Sequence, residues 1–360
     1  MTAPARRRAT FHPLKVAAIE AITEDSVAIT FDVPPELADE YEFAAGQHLT
    51  IRRAGEEVRR SYSICAPAGS GKLRIGVKRI PGGEFSAYAA NQLKVGDELE
   101  VMTPLGRFGT TLDAGNAKHY AFVAAGSGIT PVLSLIATIL AVEPASRVTL
   151  LYGNRTSGSV MFADELADLK DRYAERFHLV HVLSRETTEV ELFSGRLDAD
   201  RLRKLFATIL PLQSVDEWFL CGPYAMVVGA QDLLLSEGVA REHVHAELFH
   251  VGDEAPKAPI EESTADEDAA QVTVILDGRR STFPLGEHSK AVLDATLAVR
   301  ADAPFACKGG VCGTCRAKVL EGEVRMDTNW ALEPDEIRAG YVLTCQSHPI
   351  TPKVTLDFDA

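Results

Sequence analysis

Residues 307–315 read CKGGVCGTC, three cysteines in nine positions with three glycines among them. Cys307, Cys312 and Cys315 are spaced C-x4-C-x2-C, and Cys345, in GYVLTCQ, follows after a further 29 residues. No other stretch constrains the fold as much, because four thiolates at this spacing must be drawn to one place by whatever surrounds them. Gly309, Gly310 and Gly313 leave backbone N–H groups free to approach that place without side chains in the way.

Two kinds of centre compete for such a loop. Structural zinc modules pair C-x2-C with a second matched pair. The four-two-long spacing with glycines between is that of a plant-type [2Fe–2S] site, where each iron takes two thiolates. Iron–sulfur is therefore the expectation, with Cys307, Cys312, Cys315 and Cys345 as metal ligands. The segment from 271 to 355 resembles the plant-type ferredoxin family, which implies a β-grasp (α+β) fold and a one-electron carrier near about −400 mV.

The rest of the chain is large enough for two more domains, since 360 residues exceed one ordinary core. The longest apolar stretch, PVLSLIATILAV (131–142), is too short for a membrane span and is interrupted by Ser134 and Thr138. It reads as a buried helix. The opening MTAPARRRAT has no apolar run behind its arginines, so no secretory signal is expected. Cysteines concentrated at metal-like spacing point to a reducing cytoplasm. A net charge of −14 argues against nucleic acid. Residues 251–268, VGDEAPKAPIEESTADED, hold seven acids and one lysine and read as an acidic flexible linker.

Before that linker the texture changes once, near residue 112. From 11 to 111 short strand-like runs such as HLTI (48–51), RSYSIC (60–65) and LRIGVK (73–78) are punctuated by GSGK and PGGE, which predicts an antiparallel β-barrel. From 112 to 250 apolar strands at 121–125, 148–153, 177–183 and 217–222 alternate with helical stretches at 131–142, 161–173, 198–206 and 224–237. That alternation predicts an α/β domain, a parallel sheet with helices on both faces. The last domain, 269–360, opens on the strand QVTVILDG (271–278), and RAKVLEGEV (316–324) reads as one later strand.

Several short motifs sit where such folds bind ligands. AAGSGITPVLSL (124–135) ends a strand in a Gly-rich turn, with Thr130 as N-cap and Pro131 as first helical residue, an arrangement that suits a pyrophosphate. LYGNR (151–155) and FLCGP (219–223) end later strands at the same edge. RSYS (60–63) places an aromatic between hydroxyls and an arginine, and PGGEFSAY (81–88) looks like another helix start behind glycines. Alone, each of these is an ordinary turn or strand end.

Together, RxYS, GGxxS, GxGITP, YGNR and CGP in this order resemble the ferredoxin–NADP reductase superfamily, and with the C-terminal ferredoxin the whole chain resembles an oxygenase reductase. The resemblance implies that Arg60 binds flavin phosphate, Tyr62 stacks on the isoalloxazine and Ser63 hydrogen-bonds near its N5. Gly83 and Ser86 would hold the flavin pyrophosphate. Gly126, Gly128, Thr130 and Pro131 would form the dinucleotide loop, with Cys221, Gly222 and Pro223 near the nicotinamide. Glu247 and Phe249, in HAELF (245–249), fall where the reductase core ends against the flavin. Ser63, Cys221 and Glu247 are thus the implied catalytic set. FAD is expected ahead of FMN, because most of the superfamily uses it.

Arg155 after the second strand, with Ser184 and Arg185 after the third, favours NADPH over NADH, although Glu186 beside them counts the other way. The expected function is NAD(P)H-dependent electron transfer through flavin and cluster to the oxygenase component of a multicomponent system, with no membrane or nucleic-acid partner. The segments MDTNWALEPDEIRAGYVLTCQ (326–346) and YGNRTSGSVMFADEL (152–166) look closest to the phenylacetyl-CoA epoxidase reductases, whose acceptor is a di-iron oxygenase. Reductases of 3-ketosteroid 9α-hydroxylase, which feed a Rieske oxygenase, are the neighbouring alternative. Residues 271–360 carry twelve acids and ten bases, so docking is expected to rely on shape and apolar contact near the cluster. An iron–sulfur carrier without its own nicotinamide oxidation would leave the five ordered motifs unexplained, and a zinc-stabilised interaction module would be colourless.

Overall fold

A computed structural model describes residues 9–56, 58–250, 269–286 and 290–360. The chain forms two compact units, Met1–Val251 and Gly252–Ala360. The segment 251–268, expected as a linker, lies outside the described residues.

The first unit begins with strands β1 (Phe11–Thr23), β2 (Ser26–Asp32), β3 (His48–Arg52), β4 (Arg60–Ser63) and β5 (Leu73–Lys78). Helix α1 (Glu84–Asn91) and strand β6 (Glu98–Met102) follow. The six strands pair antiparallel in the order β4-β3-β6-β1-β2-β5. Just beyond β4, Ile64 bridges to Ile75 of β5, so the two edges meet and the sheet closes into a barrel. Alternation fills its interior with Leu49, Ile51, Ile29, Ile75, Val77 and Val101, all buried.

The same unit continues as β7 (His119–Ala125), α2 (Ile129–Val142), β8 (Arg147–Asn154), α3 (Ala163–Arg172) and β9 (Phe177–Leu183). Then come α4 (Ala199–Thr208), β10 (Glu217–Pro223), α5 (Tyr224–Ser236) and β11 (Val244–His250). The strands are all parallel, in the order β11-β10-β7-β8-β9. Neighbours along β10 show why both faces are covered. Phe219 stacks on Phe122 in the cluster that includes α2, whereas Trp218 packs edge-on against Phe206 of α4. Chain order reverses between β7 and β10, which makes the carboxyl end of those two strands the topological switch point, where open α/β sheets bind ligands.

The two polar residues inside the apolar helix α2 have a clear task. Ser134 Oγ donates to the Ala66 carbonyl at 2.7 Å, and Thr138 Oγ1 accepts from the Ala68 N–H at 3.0 Å. Both side chains are buried, and they fasten the helix to the loop that joins β4 and β5 of the barrel. One expectation fails at the start of this helix. Gly126–Gly128 form a tight turn that runs straight into α2, so Gly128 is the N-cap and Thr130 lies inside the first turn. Thr130 Oγ1 donates to Ser127 O at 3.0 Å rather than capping an N–H. Pro131 is accordingly third in the helix, where its missing N–H still costs nothing.

The second unit holds β12 (Ala270–Leu276), β13 (Arg279–Leu285), α6 (Val292–Val299), β14 (Arg316–Glu321), β15 (Val324–Met326), α7 (Pro334–Arg338), β16 (Tyr341–Leu343), β17 (Ser347–Pro349) and β18 (Lys353–Asp357). A five-stranded mixed sheet, β13-β12-β18-β14-β16, packs α6 across a core of Val272, Val274, Leu293, Leu343 and Leu356. Strands β15 and β17 form a separate ribbon. RAKVLEGEV is therefore two strands in two sheets. Gly322 turns the chain between them at φ +77°, and a Cβ there would stand 2.0 Å from the Lys353 carbonyl oxygen.

Candidate functional site: a crevice at the switch point and a four-cysteine centre

At the switch point the barrel and the α/β sheet bring three side chains together. Parallel pairing sets Cys221 of β10 beside Glu247 of β11. From the barrel, Ser63 at the end of β4 donates its hydroxyl to Glu247 Oε2 at 3.4 Å, across 184 residues of sequence. Burial pushes the Glu247 carboxyl up to about 8, against the opposing effect of the Ser63 hydrogen bond. The group therefore holds a proton near neutral pH. Burial, reinforced by Glu247, also drives the Cys221 thiol well above its ordinary range, so it stays a neutral thiol.

The Gly-rich turn closes on this point. A Cβ at Gly128 would lie 2.2 Å from the Cys221 carbonyl oxygen, so only glycine lets the turn rest on the end of β10. Gly126, at φ +54°, has nothing within 4 Å of where a Cβ would be, which leaves its face of the turn open. Gly222 lies against the Ala125 backbone and Met226, and Pro223 closes the strand and caps α5. Thus Gly126, Gly128, Thr130, Cys221, Gly222 and Pro223 form one wall, with Phe249 packed against the core behind it.

On the barrel side, Tyr62 of β4 is half-exposed and packs on Phe85 of α1, with ring centroids 5.5 Å apart. That contact holds the strand end near the helix start. Gly83 caps α1, and Ser86 is spent within the turn, accepting from Ile80 N–H at 3.2 Å and donating to Gly83 O at 3.3 Å. Arg60 is exposed and donates to the Arg59 carbonyl.

Arg155, Ser184 and Arg185 gather at the ends of β8 and β9. Backbone bonds from Ser184 N–H to Asn154 O and from Arg185 N–H to Arg155 O extend the strand ladder into the two loops. Both arginines are exposed. A contact not foreseen from sequence crosses the same loops, because Glu186 Oε1 accepts from both the N–H and the hydroxyl of Ser157, at 2.9 and 3.1 Å.

In the second unit, the loop from 307 to 315 precedes β14 and Cys345 sits in the turn after β16. Thr344 ties them together, donating from its N–H and its hydroxyl to the Cys315 carbonyl at 3.2 and 2.8 Å. The four sulfurs associate as two pairs, Cys307 with Cys312 and Cys315 with Cys345. Two pairs fit two irons taking two thiolates each. The hydrogen bond from Cys312, with backbone N–H groups of Gly309 and Val311, brings the Cys307 thiol down to about 6 against its desolvation. Cys307 is thus disposed to the thiolate form, whereas its partner Cys312 and the buried Cys315 are pushed well above the ordinary thiol range.

Gln346 was missed in the sequence. Its amide donates to the carbonyls of Lys308 and Cys345, both at 3.0 Å, while its oxygen accepts from Thr328 at 2.7 Å. A polar side chain next to Cys345, the fourth expected ligand, was the available signal.

Known proteins resemble the chain along nearly its whole length. Residues 13–109 match the Oxidoreductase FAD-binding domain family, 122–232 the Oxidoreductase NAD-binding domain family and 274–349 the 2Fe-2S iron-sulfur cluster binding domain family. A subunit of 1,2-phenylacetyl-CoA epoxidase from Escherichia coli K12 is 47% identical over 353 residues, 98% of either chain. The chain belongs to the three-domain oxygenase reductases. Another relative of this reductase is the ferredoxin reductase component of 3-ketosteroid-9-alpha-monooxygenase from Rhodococcus rhodochrous, 37% identical over 357 residues and 96% of each chain. Among solved structures, phthalate dioxygenase reductase has the same fold, with a TM-score of 0.59 at 24% identity over 97% of this chain and 98% of that one. An intact type IV self-sufficient cytochrome P450 monooxygenase matches with a TM-score of 0.68 at 23% identity, over 99% of this chain and 43% of that one. The reductase has no helix, among the described residues, long and apolar enough to cross a membrane.

Proposed function

We propose that this reductase oxidises NADPH and delivers single electrons to a di-iron oxygenase of the phenylacetyl-CoA epoxidase type. The observation that carries the electron-transfer reading is the meeting of Ser63, Cys221 and Glu247 at the switch point of the sheet. FAD, when bound, accepts a hydride and releases electrons singly, which joins a two-electron donor to a one-electron cluster.

The chain's own residues then divide the work. Tyr62 supplies an aromatic face for the flavin ring, Arg60 takes a phosphate, and Gly83 with Ser86 shapes the turn that admits the pyrophosphate. Ser63 holds a hydrogen bond at the flavin edge, and protonated Glu247 keeps the Ser63 hydroxyl oriented and stores a proton beside it. Cys221 offers a small, neutral wall to the nicotinamide, continued by Gly222 and Pro223, while Phe249 backs the crevice. Gly126, Gly128, Thr130 and Pro131 carry the dinucleotide pyrophosphate on the turn before α2. Ser184, Arg185 and Arg155 receive the 2′-phosphate of NADPH. Cys307 and Cys312 hold one iron and Cys315 and Cys345 the other.

The acceptor rests on the 47% identity to the epoxidase component, set against 37% for the ketosteroid monooxygenase component. An anaerobic titration of the purified chain tests the whole reading. Flavin and [2Fe–2S] bands should bleach with NADPH faster than with NADH. Reoxidation should follow mixing with a di-iron epoxidase component and be slower with a Rieske oxygenase. Faster reoxidation by the Rieske protein would transfer the assignment to the ketosteroid type.

A further inference from the structure

The loops after β8 and β9 are joined by one side chain whose charge is opposite to what a 2′-phosphate needs. Glu186 directs a single carboxylate oxygen at both donors of Ser157, its N–H at 2.9 Å and its hydroxyl at 3.1 Å. The carboxylate of this half-buried residue, next to Arg185 in the loop after β9, is thereby pinned against Ser157 in the loop that follows Arg155 and Thr156. Ladder bonds from Ser184 to Asn154 and from Arg185 to Arg155 hold the two loops at this spacing.

We propose that Glu186 is a specificity-determining residue that restrains the preference for NADPH over NADH. The inference rests on the assignment of Ser184 and Arg185 to the adenosine end of the dinucleotide. A 2′-phosphate arriving there meets a pinned negative charge and finds the Ser157 donors already occupied. The ribose hydroxyls of NADH meet no repulsion, and a carboxylate is a good acceptor for them.

The test compares kcat/KM for NADPH and NADH in the holoenzyme, with Glu186→Gln and Glu186→Lys beside the wild type. Glutamine keeps an oxygen for Ser157 and removes the charge. It should raise the NADPH-to-NADH ratio about tenfold, as expected when one nearby like charge is removed from a partly exposed site. Lysine should move the ratio further in the same direction. Both shifts should shrink as salt is raised, which a merely structural tether would not show. An unchanged ratio, a ratio that falls, or a shift indifferent to salt would overturn the proposal. The wild-type ratio separately tests the NADPH reading, and Glu186 can fail while that reading stands. Flavin and iron content of each variant confirms that the folded holoenzyme is being compared.

Discussion

Glu247 is the side chain whose protonation most affects the site, and its linkage to folding can be worked out. The unfolded carboxyl ionises near the ordinary 4.5, whereas the folded one keeps its proton to about 8. Between those values the native state binds more protons than the unfolded state. Its contribution to stability is therefore fully present below the window and is lost as pH rises through it. Glu247→Gln carries no charge at any pH and should lose this slope. Urea midpoints of wild type and variant at about pH 5 and about pH 8 would show it, and parallel changes in both proteins would place the titration elsewhere. Gln346 acts at the other centre. Lys308 adopts φ +53°, unusual for a residue with a Cβ, and the Gln346 amide holds its carbonyl while also contacting Cys345 O. A Cβ on Gly310 would stand 3.1 Å from Gln346 Cγ, so the loop is shaped round this amide. Gln346→Leu should therefore release the cluster about tenfold faster, the scale typical of lost second-layer support. The decay of visible absorbance in the presence of a chelator would measure it, and wild-type retention would show that Thr344 alone fixes the two cysteine pairs.

Among the elements, the turn from β7 into α2 depends most on a single atom that is absent. At Gly128 a methyl group would sit 2.2 Å from the Cys221 carbonyl oxygen, so Gly128→Ala must push the turn off the end of β10. The dinucleotide wall opens, and kcat/KM for NADPH should fall by about ten- to a hundredfold, as expected for a misplacement near 1 Å. Stopped-flow flavin reduction is the measurement, and wild-type rates would show that the turn does not bear on the nicotinamide. Much at this scale was legible beforehand. The barrel strands, the β/α alternation and the cysteine spacing follow from periodicity and turn chemistry, which are local. The interruptions of 131–142 by Ser134 and Thr138 were visible too, but not their purpose, because Ala66 and Ala68 are some seventy residues away. The misread helix start and the split of 316–324 have one origin. In each, a close approach to a distant carbonyl, Cys221 for Gly128 and Lys353 for Gly322, overrides the local signal. The Ser63–Glu247 contact joins positions 184 apart. Resemblance pointed to both residues separately, and only the fold brings them into contact.

At the scale of the molecule, electron transfer divides along the same line as the chain. Every residue assigned to flavin and nicotinamide lies within Met1–Val251, and all four cluster cysteines lie within Gly252–Ala360. Each unit has its own core, one built round the barrel and parallel sheet, the other round β12, β14, β18 and α6. Loss of the cluster should therefore leave hydride transfer intact. Cys307 is the suitable position to alter, because it is exposed, whereas Cys315 and Cys345 are buried in the second core and would disturb its packing. Cys307→Ala removes one thiolate from one iron and leaves the other three ligands in place. The variant should contain little iron and should still reduce ferricyanide, which takes electrons directly from flavin, at close to the wild-type NADPH-dependent rate. Reduction of an oxygenase component should drop to background, because only the cluster provides a one-electron exit to a protein partner. Iron content, ferricyanide activity and oxygenase reduction measured on one preparation decide the matter. If oxygenase reduction survives without iron, electrons leave from the flavin itself and the second unit serves some other purpose. If ferricyanide activity is lost as well, the two units depend on each other in a way that their separate cores do not require.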